Sequence, residues 1–83
     1  MSQHSDFITT TELSAMTPAH EREAQIQTVF EDQSLSLMAR GLYVLLAEQP
    51  GAAIDPFEDL MDKAESMHGA IEELIAAGLV CRV

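Results

Sequence analysis

Six carboxylates crowd one stretch of the chain: Glu58, Asp59, Asp62 and Glu65, then Glu72 and Glu73. Such a group can hold a metal ion, exchange protons with a substrate, attract a basic partner or stay solvated. The spacing sorts these uses. Glu58, Asp59, Asp62 and Glu65 stand three or four residues apart, so on a helix they share one face and repel each other by a few tenths of a kcal/mol (~0.2–0.5) per pair. A calcium loop needs oxygen ligands at alternate positions around a glycine hinge, and this run has neither. Carboxylates that work as general acid and base need an enclosure that displaces their pKa, and a helical surface supplies none. The one cysteine, Cys81, and the histidines His4, His20 and His68 stand far apart without the clustered spacing of a zinc site. Cys81, in an apolar C-terminal run, reads as a small buried hydrophobe. There is no glycine-rich phosphate loop and no nucleophile with a matched base. The sequence therefore predicts no catalytic residue, no metal and no cofactor, and the chain is read as a non-enzyme.

What remains is a docking surface for a basic protein. Glu58, Asp59, Asp62, Glu65, Glu72 and Glu73 form its charged part, and Met67, Gly69 and Ala70 its contact core. Gly69, Ala70, Ala76 and Ala77 leave the last helix nearly bare, which suits tight packing inside the monomer or a partner lying flat on it. A homodimer is the alternative assembly. Composition points the same way. In 83 residues, 14 acids face 4 bases, a formal charge of −10. That field repels phosphate and anionic headgroups, which argues against direct nucleic-acid binding by a monomer. No apolar run reaches the ~18 residues of a membrane span. The N-terminal MSQHSDF has neither the basic nor the apolar region of a signal peptide. A cytoplasmic location follows as the simplest expectation.

The elements that must position these residues come from periodicity and caps. Residues 1–16 read as a flexible or irregular segment, and 17–83 as a single domain. Thr17-Pro18 suits a helix start, Thr as cap and Pro at the first helical position, for a helix over about 18–32. Its thin stripe is Ala19, Ile26, Val29 and Phe30, an edge that must lie on the rest of the domain or on a second copy. Ser36 opens a second helix over 37–48. There Met38, Leu42, Leu45 and Leu46 make the buried stripe, with Tyr43 and Val44 extending it. Asp55-Pro56-Phe57-Glu58 is a capping-box variant that starts a helix over 56–64. A turn at Glu65-Ser66 then opens a helix over 67–77, with Ser66 as cap and Met67, Ile71, Leu74 and Ile75 facing inward. Gly78 ends it, and LVCRV reads as a strand over 79–83.

Buried helix, short apolar link, short helix, tight turn, longer helix, glycine and strand resemble the winged helix-turn-helix domain of bacterial transcription regulators and replication-initiation proteins. LSLMARGLYVLLAEQPG is similar to its first helix, FEDLMDKA to its second, and SMHGAIEELIAAGLVCRV to its recognition helix and first wing strand. The resemblance covers Leu35 to Val83. It implies a mainly α fold, a small winged-helix-like helix-turn-helix domain with a short C-terminal strand. It also implies DNA binding through the exposed side of the recognition helix. The matching positions here are Ser66, His68, Gly69, Ala70 and Glu73, and none is Arg or Lys. The chain also ends where a second wing strand would begin, so no full wing is expected. The reading is accordingly a small acidic regulator that acts by protein contact on a transcription or nucleic-acid-handling partner in bacteria or their phages. Two alternatives stand beside it. One is a dimeric DNA-binding regulator using Arg22, Arg40, Lys63 and Arg82. The other is a DNA mimic whose carboxylates occupy a DNA-binding protein.

Overall fold

Ile8, Thr9 and Thr10 combine β-branched side chains with a buried, half-buried, buried alternation, and they form strand β1 (Ile8–Thr10). The computed structural model describes residues 7–56 and 64–83. Along it follow helices α1 (Ala19–Phe30), α2 (Leu37–Ala47) and α3 (Ala64–Ala76), and strand β2 (Val80–Arg82). The fold is mainly α with a short C-terminal strand, as the sequence predicts. The helix expected over 56–64 lies outside the described residues except at its ends.

Residues 7–16, expected to be irregular, contain the middle of the sheet. β1 pairs antiparallel with β2, Ile8 opposite Arg82 and Thr10 opposite Val80. On its other edge Ile8 bridges Ile54, each amide donating to the other's carbonyl at 2.9 Å. β2, expected to stand without a second wing strand, thus has the N-terminal strand beside it. Thr11 locks the junction, its amide donating to the Leu79 carbonyl at 3.0 Å and its hydroxyl to the Gly78 carbonyl at 2.6 Å. Cys81, expected to be buried, is exposed. Strand alternation is the reason: Val80 takes the inward position and Cys81 the outward one.

α2 is central, packing against both α1 and α3 and touching β1. Ala39, Leu42, Tyr43, Leu46 and Ala47 are its buried residues. They join Ile8, Val29, Met67, Ile71, Leu74 and Val80 in one core. Burying each of the larger of these side chains contributes roughly 1.5–3 kcal/mol before chain entropy is counted. Leu45, placed by periodicity in the buried stripe, is 45% exposed. The inward arc of α2 runs through Ala39 and Tyr43 instead, turned away from Leu45.

Helix ends explain the remaining differences. Ser36 caps α2 as expected, its hydroxyl accepting from the Ala39 amide at 3.1 Å. Thr17 does not cap α1. Its hydroxyl accepts from the Ser14 amide at 3.0 Å inside a turn, and Pro18 holds the N-cap position without a side-chain bond. The turn expected at Glu65-Ser66 is absent, since both residues are already helical in α3. The other end of α3 follows the expectation. Gly78 adopts φ +76°, the Gly78 amide donates to the Ile75 carbonyl and the Leu79 amide to the Leu74 carbonyl, each at 3.0 Å. This is the Schellman pattern, and it turns the chain directly into β2.

Candidate functional site: an acidic surface and an apolar groove

α3 sorts the predicted contact residues onto opposite faces. Gly69 and Glu72 face solvent, while Met67 and Ala70 are each 1% exposed and belong to the core. The contact core assigned to Met67, Gly69 and Ala70 is therefore corrected: Met67 and Ala70 hold α3 against the core, and Gly69 alone is on the surface. The reason is helical pitch, because Met67, Ala70, Ile71 and Leu74 make one continuous stripe. Glu58, Asp59 and Asp62 lie outside the described residues, and Glu65 is placed on α3.

Glu72 and Glu73 of α3 have partners within the chain. Glu72 Oε2 accepts from Arg82 Nη2 at 2.9 Å, an exposed pair that ties α3 to β2. Glu73 Oε1 accepts from the Ser36 amide at 2.7 Å. That bond, then one with the Ser36 hydroxyl, holds the Glu73 carboxyl below the usual glutamate range. In a capping box a Glu or Gln three residues into the helix closes on the cap's own amide. α2 has Ala39 there, and α3 supplies the carboxylate instead. Of the two, Glu72 is the more available to a partner.

Two of the bases are engaged as well. Arg82 faces Glu72. Arg40 Nη1 donates to the Phe30 carbonyl at 3.1 Å, at the end of α1. Its charge also acts on Asp32, whose carboxyl is held low chiefly by the Ser34 hydroxyl and amide. Of the four bases proposed for a DNA contact, Arg40 and Arg82 are thus tied into the fold, Arg22 is half-buried on α1, and Lys63 lies outside the described residues.

A different surface emerges only on folding. Glu23, Ile26, Gln27 and Phe30 follow one another at helical spacing along α1, and with Glu31 and Val44 they line an open groove of about 460 Å³ between α1 and α2. Phe30 is 50% exposed and Leu37, on the outer stripe of α2, is 70% exposed. Gly41 continues that stripe, with open space where a Cβ would stand. The signal in the sequence is the apolar edge of the first helix, which requires a covering surface. A smaller hollow of about 170 Å³ opens among Glu12, Leu13, Thr17, Glu21 and Gln25. Among the described residues, no group of three or more His, Cys, Asp or Glu is placed to hold a metal ion. No helix among them is long and apolar enough to cross a membrane.

The chain is similar to an oligoribonuclease of Actinobacillus succinogenes, 31% identical over 71 residues that cover 86% of this chain. It spans 38% of the length of that curated relative. No protein-family model and no solved structure matches the chain.

Proposed function

We propose that this chain is a small, non-catalytic acidic regulator that docks on a basic surface of a transcription or nucleic-acid-handling protein in the cytoplasm. The observation that carries the reading is the disposition of charge. The formal charge is −10, and Arg40 and Arg82 each direct a guanidinium nitrogen to an acceptor inside the fold. A duplex would meet carboxylates with few free cations to release the counterions that drive nucleic-acid binding. The winged-helix-like scaffold is supported by the order α2, Ile54 bridge, α3, β2, with the outer side of α3 offering Gly69 and Glu72.

The test joins two measurements. The first is affinity for the host protein that the chain captures, compared between wild type and the double variant Asp59→Lys, Asp62→Lys; Glu73 is spared because it caps α2. The reading expects a loss of about tenfold or more, and steep weakening with salt. Unchanged affinity rejects it. The second is anisotropy with duplex DNA at about 50 mM salt. No binding is expected, and salt-sensitive binding favours the dimeric DNA-binding regulator. A partner that holds DNA and this chain together rejects the DNA mimic.

The likeness to an oligoribonuclease supports a second reading, that the chain itself acts on short RNA. Incubation with an end-labelled oligoribonucleotide and a divalent cation decides it, since shortening of the RNA would overturn the non-catalytic reading.

A further inference from the structure

We infer that the groove between α1 and α2 is a seat for one helix of another protein, cationic and amphipathic, with its apolar residues against Ile26, Phe30 and Val44. The inference deepens the proposal of a basic partner and rests on it.

Three observations select this occupant. The first is shape. The groove is open, lies between two packed helices and has a floor of aliphatic and aromatic side chains, the setting in which a third helix buries a stripe. Leu37 prolongs the apolar surface along α2. The second is charge. Glu23 and Glu31 stand on the groove's rim. They are eight residues apart, Glu23 on α1 and Glu31 at its C-cap, about 12 Å along the axis at ~1.5 Å per residue. Lysines or arginines two turns apart on a partner helix match that separation. Gln27 Nε2 donates to Glu31 Oε2 at 3.1 Å, which holds the carboxylate at the rim. Arg40, at the Phe30 end, offsets part of this field without reversing it. The third is exclusion. A second copy would bring another formal charge of −10 and another pair of rim glutamates, like against like. An anionic membrane is repelled by the same acids.

The experiment uses the whole chain, labelled with ¹⁵N, and a synthetic peptide of about 18 residues that forms a leucine- and lysine-faced amphipathic helix. A peptide of identical composition in scrambled order controls for charge alone. At about 150 mM salt the amphipathic peptide should bind saturably and about tenfold tighter than the scrambled one. The largest shifts should fall on Ile26, Phe30 and Val44. Phe30→Ser should weaken binding about tenfold, and Glu23→Gln with Glu31→Gln severalfold. Phe30 is half exposed, so its loss should spare the fold, and circular dichroism checks that. Binding that maps to α3 and ignores Phe30→Ser would overturn the groove while leaving the basic-partner proposal standing. Equal binding of both peptides, or of neither, overturns the groove as well. A concentration-dependent dimer that Phe30→Ser dissolves would assign the groove to a second copy instead.

Discussion

The cap of α2 depends on a carboxylate 37 residues further along the chain. Ser36 satisfies an orphan amide of its own helix, but its own amide needs Glu73. The pH dependence follows from the direction of the Glu73 shift. The folded carboxyl titrates below its ordinary range, so the stability it contributes is present above the unfolded value of about 4.3 and is lost as pH falls through the lower folded value. Asp32, lowered by Ser34, acts in the same direction at the α1–α2 connection. Glu73→Gln should therefore lower the Tm at pH 7, and the gap to wild type should narrow as the pH is taken below about 4. Melts followed by circular dichroism across that range test this, and identical melts at pH 7 would remove Glu73 from the cap. A second prediction concerns Tyr43. Its ring is in the core and its hydroxyl, beside Gln25, makes no contact of hydrogen-bond geometry. Tyr43→Phe removes a buried polar group without opening a cavity, so it should change stability by less than about 1 kcal/mol in urea denaturation. Tyr43→Ala leaves a void and should cost roughly 3–5 kcal/mol.

α3 and its C-terminal stop carry two glycines that the same substitution should move in opposite directions. Gly78 sits at φ +76°, where a Cβ crowds its own backbone although nothing else is near. Gly78→Ala should destabilise by about 1–2 kcal/mol. Gly69 is an exposed helical residue with open space where a methyl group would stand, so Gly69→Ala should stabilise by roughly 0.5–1 kcal/mol. Urea titrations of the two variants check both signs, and a destabilising Gly69→Ala would mean that this face of α3 is already packed against something. Elements of this kind are legible in the sequence because their signals are local: the Ser36 cap, the Met67–Ile71–Leu74 stripe, the glycine stop. β1 is not. Three residues carry too little periodicity to distinguish a strand from a loop, and the partners of Ile8 are Arg82 and Ile54, which no local pattern connects to it. The candidate site divides in the same way. The acids can be counted, but whether Glu72 and Glu73 serve a partner or the fold depends on Arg82 and Ser36, and those contacts arise only on folding. Small size beside Gly69 suggests a surface for Ala70, whereas helical pitch places it with Met67 in the core. The groove needs the packing of α1 on α2, which leaves Phe30 and Leu37 uncovered.

Fourteen acids and four bases act on the molecule as one field. The Cα radius of gyration is 12.2 Å, close to the ~10 Å Debye length at ~0.1 M salt. The exposed Glu72–Arg82 pair contributes only about 0–1 kcal/mol against that background. Repulsion among the acids should therefore dominate the salt response. Raising NaCl from about 0.02 to about 0.5 M should raise the Tm, because screening weakens the many like-charge contacts more than it weakens the few ion pairs. A Tm that falls over this range would mean that pairs such as Glu72–Arg82 outweigh the repulsion. Docking on a basic partner draws on the same acids but should respond with the opposite sign, since screening there removes attraction. One salt series read two ways thus separates the roles. Stability rising while affinity falls assigns the acids to recognition, at a cost in stability that the partner relieves. Affinity that ignores salt, over a range where the Tm climbs, would mean that the acids only keep the surface solvated and that the apolar floor of the groove provides the contact.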